Sequence, residues 1–332
     1  LSDVIAHLPR LFPIAVAALF ASAPLWAEAT SPQVVETFEN LRFSASPELQ
    51  SGSAGLADLY VPVLPGDSID KVEQAGTAAA TAPSEPPVRV VGKLRPAIVV
   101  VHGGGWLAGS KWTISGYAQQ LSQMGICVLN INYRLAPHAK FPAQVDDVRE
   151  ALVYLSDHAA DLAIDPQRIG LFGYSAGGHL SALVGVLADE SRQEQAEASR
   201  WSLMDPRWAR LPKIAAVCAG GPPCDFQNLP LDNDSLSYFL RGSRRQFPEL
   251  YAAASPIAHV SAADPPIQLI HGETDMIVPI TNSRRFAEAL AAAGVSVNLT
   301  EIAKQGHIVT LMHPQTQAQV SEFFREQLRL HP

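Results

Sequence analysis

Arg168-Ile169-Gly170-Leu171-Phe172-Gly173-Tyr174-Ser175-Ala176-Gly177-Gly178-His179-Leu180 is the stretch on which the fold turns. Arg168 to Tyr174 reads as a buried strand, and the residues after Ser175 open a helix. Between them lies Gly-x-Ser-x-Gly. A serine hydroxyl is a poor nucleophile until a base takes its proton, and it must project from the backbone to reach an electrophile. A sharp strand-to-helix turn provides that projection, and glycines two residues before and two after the serine relieve the crowding. An ordinary turn could carry the same five residues; the flanking strand and helix favour the nucleophile.

Outward from this turn, short apolar runs alternate with helical periodicity. Ala97–Val101, Ile126–Tyr133, Ile214–Ala219 and Ile267–His271 are runs of the kind expected for strands buried on both faces. Val295–Ile302 alternates and reads as a last strand. Val145, Val148, Leu152 and Leu155 share one helical face, as do Phe286, Leu290 and Ala293. This order predicts an α/β fold: a mostly parallel central sheet with helices on both faces and the site on loops at the strands' C-terminal ends. Leu56–Val63 alternates like a half-buried edge strand. Pro65–Pro87, rich in Ala, Pro, Gly, Ser and Thr, reads as a long flexible surface insertion.

Two stretches fall outside the sheet pattern. Asp189–Leu211 carries Trp201 and Trp208; Cys224–Ser255 carries Phe226, Tyr238, Phe239 and Tyr251. Both are placed to form a small cap over the sheet's C-terminal edge, with ordinary surface packing as the alternative reading.

The 332 residues and a hydrophobic content of 47% suffice for one large core, and no Gly/Ser linker or internal repeat divides the chain. A net charge of −8 argues against a nucleic-acid partner. Arg10, the apolar run Leu11–Leu25 and the small residues Ala27 and Ala29 have the order of a secretory signal, so residues 1–29 are expected to be a signal peptide on a secreted or periplasmic protein. The run is broken by Pro13 and Pro24 and is short for a stable membrane span; an N-terminal anchor is the alternative. The remainder, 30–332, is expected to be one domain. Cys127 sits in an apolar run and reads as a buried small hydrophobe; Cys218 and Cys224 lie close in sequence, and an oxidising compartment would permit a bridge, which is not expected on proximity alone. No Cys/His spacing resembles a zinc site.

His102-Gly103-Gly104-Gly105-Trp106 follows the Ala97–Val101 strand. Acyl transfer places negative charge on a former carbonyl oxygen, and backbone N–H groups aimed at it lower the barrier. The expected donors are Gly104, Gly105 and Ala176, aided by the positive end of the helix after Ser175. His271-Gly272-Glu273-Thr274-Asp275 ends one strand and Gly306-His307 follows the last, in the order nucleophile, acid, histidine. His307 is the expected base and Asp275 the acid that orients it. Glu273 is a rival acid with poorer loop spacing, and Asp264 precedes its strand and falls at the wrong end. His102, His179 and His271 read as hydrogen-bonded structural residues. His138, His158, His259 and His313 have no motif context. Asp146 and Asp147 read as charge and capping residues at a helix start.

These segments, with Asn132-Tyr133-Arg134-Leu135-Ala136-Pro137, Phe141-Pro142-Ala143, Asp147, Ser255-Pro256-Ile257, Pro265-Pro266 and Val278-Pro279, resemble the bacterial α/β-hydrolase esterases related to hormone-sensitive lipase and to the feruloyl-esterase-like (BD-FAE-like) branch. The resemblance covers roughly residues 93–326. It implies the α/β-hydrolase fold, a triad of Ser175, Asp275 and His307, an oxyanion loop at Gly104 and Gly105, and structural roles for Tyr133, Arg134 and Asp147. It also implies hydrolysis of a small-molecule carboxylic ester through an acyl-enzyme with no metal or cofactor. The same triad acting on an amide, peptide or formamide, and a non-catalytic binding protein on this fold, are the alternatives. The Pro65–Pro87 insertion and a shorter cap depart from the hormone-sensitive-lipase branch.

Overall fold

The structure, a computed structural model, describes residues 33–44, 46–49, 52–72 and 85–330. The expected signal segment 1–29 lies outside the described residues, as does 73–84 of the insertion. The strands are β1 (Val35–Arg42), β2 (Leu56–Pro62), β3 (Ser68–Lys71), β4 (Val88–Val91), β5 (Arg95–Val101), β6 (Cys127–Ile131), β7 (Ile164–Tyr174), β8 (Ile214–Gly220), β9 (Ile267–Gly272) and β10 (Val297–Ile302). The α-helices are α1 (Ser115–Gln123), α2 (Ala143–Asp157), α3 (Ala176–Leu187), α4 (Arg192–Glu197), α5 (Ser237–Leu240), α6 (Pro248–Ala253), α7 (Thr281–Ala292), α8 (His307–Met312) and α9 (Pro314–Gln327).

Eight strands form one sheet in the order β1-β2-β6-β5-β7-β8-β9-β10. β1, β2 and β6 pair antiparallel; from β6 to β10 every pairing is parallel. The alternation of side chains along β5 explains its unbroken apolar run. Ala97, Val99 and Val101 join a core with Val145 and Leu152 of α2, Leu180 of α3 and Phe286 of α7. Ile98 and Val100 join the opposite core with Tyr117 and Leu121 of α1 and Val320 and Phe324 of α9. Each fully buried Val or Ile of this kind stabilises the fold by roughly 1.5–3 kcal/mol.

The start of the sheet differs from the sequence expectation. Leu56–Val63 is not an edge: β2 is buried from Ala57 to Pro62 because β1 covers one side and β6 the other. The true edge strand, β1, carries Glu36, Glu39 and Asn40 and a register shift between Phe38 and Leu41. Charged side chains and a bulge are the means by which an edge avoids pairing with other chains. The insertion is not a loop throughout: β3 pairs antiparallel with β4, setting Ile69 opposite Val90. Its base is anchored where Asp67 Oδ2 accepts from Arg95 Nη2 at 2.9 Å, both side chains buried.

The two non-sheet stretches behave differently. In Asp189–Leu211, Trp201 and Trp208 meet edge to face at 5.0 Å and pack on Val153 of α2. Arg149 and Arg207 stand over the two indoles. This stretch is surface packing on the flank of α2, not a cap. Cys224–Ser255 reaches the sheet's C-terminal edge, where Phe239 stacks on Trp106 at 4.3 Å. Cys127, Cys218 and Cys224 are free and buried, so the two nearby thiols are unbridged.

Asp146 and Asp147 do not cap α2, whose N-cap position is Pro142. Asp147 accepts from the amide of Arg134 at 2.7 Å and pairs with its guanidinium at 2.6 Å. Asp146 accepts from Ser199 Oγ at 2.5 Å and the amide of Arg200 at 2.8 Å. Buried carboxylates need full sets of donors, and neighbouring segments supply them here. Burial still pushes Asp147 up to about 6, against the pull of Arg134.

Candidate active site

The C-terminal ends of β5, β7, β9 and β10 bring four loops together, and each carries one expected group. At the end of β7 the chain turns sharply: Ser175 has φ 56 and ψ −121 before α3 begins. A left-handed conformation is costly for a residue with a Cβ. It is held because the turn is pressed against its neighbours: a Cβ at Gly177 would lie 2.0 Å from the carbonyl oxygen of Val101.

Ser175 Oγ lies 2.8 Å from His307 Nε2, and His307 Nδ1 lies 2.5 Å from Asp275 Oδ2. An ionised carboxylate only accepts, so Nδ1 carries the ring proton and Nε2 receives the serine O–H. Asp275 Oδ1 accepts from the amides of Ile277 and Val278, each at 2.9 Å. His271 Nε2 stands 3.2 Å from Oδ2. Burial alone would raise the pKa of Asp275, but the donors at His271, His307 and Val278 outweigh it and hold the carboxyl well below the usual range. Tyr174 Oη donates to the carbonyl oxygen of His307 at 2.6 Å, which fixes the start of α8.

The loop after β5 runs through positive φ at Gly104, Gly105 and Trp106. Among the described residues the amides of Gly104 and Gly105 donate to no protein acceptor. Ala176, the first residue of α3, adds an N–H with no place in the helical ladder. Two segments therefore bring three unpaired donors to the neighbourhood of the Ser175 turn. Tyr238 Oη donates to the carbonyl oxygen of Gly105 at 3.0 Å, and Trp106 Nε1 donates to His179 Nδ1 at 3.2 Å.

The rival groups are committed elsewhere. Glu273 Oε2 accepts from the amide of Lys304 at 3.0 Å, and Asp264 accepts from the amide of Ser261 at 3.0 Å. His102 stacks on Tyr133 at 4.2 Å, and burial pushes it down to about 4, a backbone bond to Gly103 opposing. His179 is likewise held near 4 by burial, against its bond to Ala254. His271 is a buried structural residue, as its strand-end position suggested, with the added contact to Asp275. His259 pairs with Glu190 and His158 faces Asp161, away from Ser175. A cavity of about 400 Å³ beside Arg149, Trp208 and Ile214 opens at the N-terminal end of β8. Ser175 lies at the sheet's other end, so this cavity is no part of the site.

Sequence reasoning missed the contacts that hold these groups. Tyr238 was seen only as one of several aromatics in Cys224–Ser255, and the partnership of Trp106 with His179 joins residues far apart in the chain. The glycine triplet Gly103–Gly105 was the one local sequence signal near them.

The family model described as BD-FAE matches residues 87–290. The chain belongs to the BD-FAE family. The matched span of this BD-FAE chain holds the Gly104–Gly105 loop, Ser175 and Asp275, while His307 lies beyond it. Esterase LipC of Mycobacterium tuberculosis is 33% identical over 224 residues, 65% of this chain and 53% of LipC. Esterase LipQ of the same organism is 30% identical over 230 residues, 66% of this chain and 52% of LipQ. The chain thus spans about half the length of these curated relatives. A truncated carbohydrate esterase from gut microbiota superposes with a TM-score of 0.69 at 24% identity, covering 91% of this chain and 99% of that one, which supports the α/β-hydrolase fold. Among the described residues, no helix is long and apolar enough to cross a membrane.

Proposed function

We propose that this protein hydrolyses small-molecule carboxylic esters through an acyl-enzyme. The observation that carries the reading is the hydrogen-bonded series Ser175–His307–Asp275 at 2.8 and 2.5 Å beside unpaired loop amides. Ser175 Oγ attacks the ester carbonyl while His307 Nε2 takes its proton. The amides of Gly104, Gly105 and Ala176 receive the oxyanion; losing one such donor costs about a hundredfold or more in rate. The tetrahedral adduct collapses, and His307 returns the proton to the departing alcohol. Water then repeats the sequence on the acyl-enzyme, releasing the carboxylic acid and restoring Ser175. Asp275, kept ionised by its donors, stabilises the imidazolium in both halves. No step calls on a metal or a cofactor.

Soluble esters with short acyl groups are the proposed substrates. One of the two stretches that could have made a lid lies on the flank of α2. The other is committed through Phe239 and Tyr238 to holding the loop after β5. Each further methylene gains about 0.8 kcal/mol only where it can be buried. A panel of esters of rising acyl length, with matched amides, tests this. Efficiency is expected to peak at short chains, to exceed that on the amides, and to show no jump at the solubility limit. A steady climb to long chains with interfacial activation would overturn the substrate class, and preference for the amides would overturn the bond type. Export of the chain, with cleavage near Glu28 or Thr30, is proposed on the signal-like order of residues 10–29 and is tested by N-terminal sequencing of protein recovered from the periplasm or medium; uncleaved protein confined to the cytosol would overturn it.

A further inference from the structure

The three candidate oxyanion donors come from two segments. Gly104 and Gly105 sit on the loop after β5, and Ala176 sits at the start of α3 beside Ser175. Donors of this kind work only when held at hydrogen-bond distance from one developing oxygen, so the two segments need a fixed spacing. Glycine at positions 104 and 105 gives a backbone a wide choice of conformations, and Trp106 follows at φ 59, a conformation that a bulky residue keeps only if its surroundings impose it.

The surroundings of Trp106 do impose it. Its ring stacks on Phe239 at 4.3 Å and meets Phe226 edge-on at 5.9 Å. Its carbonyl oxygen accepts from the amide of Ala136 at 2.8 Å. Its indole N–H reaches across to the other segment, donating to His179 Nδ1 at 3.2 Å. His179 is one helical turn beyond Ser175, and its amide donates to the carbonyl oxygen of Ser175 at 2.8 Å. The imidazole is fully buried. Its Nε2 lies 2.7 Å from the carbonyl oxygen of Ala254, which can only accept. Nε2 therefore carries the proton, and Nδ1 is left with the lone pair that the Trp106 indole needs. The tautomer is set by one bond so that the other can form.

We infer that His179 is a positioning residue for the oxyanion site: by accepting from Trp106 it sets the Gly104 and Gly105 amides against Ser175 and Ala176. The inference rests on the hydrolase reading above. His179 touches no substrate and moves no proton. Its effect belongs to the tetrahedral adduct, which uses the aligned amides, and not to the bound ester, which uses them little.

Trp106→Phe tests it, because the change removes the indole N–H and leaves an aromatic ring to stack on Phe239. His179→Asn and the double variant complete a cycle. The readouts are kcat, KM, the affinity of a boronic acid that forms a tetrahedral adduct on the serine, and Tm. With one net hydrogen bond at stake, kcat in Trp106→Phe is expected to fall about three- to tenfold, with KM within about twofold and boronate affinity falling by the same factor as kcat. The double variant is expected to be no worse than the weaker single variant. Unchanged kcat and boronate affinity, a loss confined to KM, or losses that multiply in the double variant would each overturn the inference. Should His179→Asn fail to fold, Trp106→Phe alone decides. Parent activity and fluorophosphonate labelling are measured first: a parent that is inactive and unlabelled condemns the hydrolase reading, whereas an active parent indifferent to Trp106→Phe condemns only the role of His179.

Discussion

Gly221 stands against the imidazole of His307: a Cβ added there would lie 3.0 Å from His307 Cε1 and 3.3 Å from Nδ1. The residue follows β8, has φ 52, and donates its amide to the carbonyl oxygen of Ile270 at 2.8 Å. On the Gly221 side the candidate base thus rests against bare backbone, while the Tyr174 ring packs on it at 5.4 Å between centroids.

Gly221→Ala is expected to displace the imidazole by a few tenths of an ångström and to impose a left-handed conformation on alanine. Strain of about 1 kcal/mol should lower Tm by about 2 °C. Because the base must stay aligned with Ser175 Oγ, kcat should fall about tenfold with little change in KM. Steady-state kinetics beside a thermal melt checks both. An unchanged kcat would show that the ring tolerates the methyl group.

Asp275→Asn preserves the size of the side chain and can still accept from the amides of Ile277 and Val278 through its oxygen. What it loses is the charge facing His307 Nδ1 and the preference for the tautomer that leaves Nε2 free to accept. The expected result is a fall in kcat of about three to four orders of magnitude, with Tm changed by only a few degrees. The same chemistry requires activity in the parent to be lost at acid pH, because a protonated base cannot accept from serine. Asp275 does not set that decline, since its carboxyl stays ionised well below the usual carboxylate range. A pH-rate profile flat from pH 5 to 8 would contradict a histidine base.

Stability, as distinct from activity, should carry the mark of Asp264. It lies buried near Asp189 and Glu190, and one of its oxygens, Oδ1, has no hydrogen-bond partner among the described residues. Burial first, and then the neighbouring carboxylates, push it up to about 7. A raised acid favours the folded state while protonated. Its contribution is present in full below about pH 4, the range of a carboxyl in the unfolded chain, and is lost as pH rises through about 7. Asp264→Asn removes that loss and keeps an acceptor for the amide of Ser261. It is expected to raise stability by on the order of 1–2 kcal/mol at pH 8 and by much less at pH 5. Denaturant melts at the two pH values check the sign, and an equal effect at both would contradict it.

The central strands could be read from the chain because both faces of each are buried, as Ala97–Val101 shows, and so their residues are uniformly apolar. β1 could not be, because an edge strand bearing Glu36 and Glu39 has the composition of a loop. The β3–β4 pair was hidden for a related reason: its arms are four residues each and flank a stretch rich in Ala and Pro. At the site, Ser175, Asp275 and His307 each sit in a local glycine-marked motif at a strand end. The groups that hold them do not. Gly221 against His307, Tyr238 on Gly105, and Trp106 on His179 join residues brought together only by the sheet order, and no window of sequence contains both partners. Asp147 misled for the same reason: its place near a helix start suggested a cap, and its partner, Arg134, lies across the loop before the helix.

The most direct test of the account is intact-protein mass spectrometry after brief exposure to a fluorophosphonate, with the labelled site found by peptide mapping and the Ser175→Ala protein run in parallel. The account predicts one adduct per chain, mapped to Ser175, appearing together with loss of ester hydrolysis, and neither labelling nor hydrolysis in a folded Ser175→Ala protein. A well-folded parent that takes no label, or a Ser175→Ala protein that hydrolyses esters at the parent's rate, would contradict it.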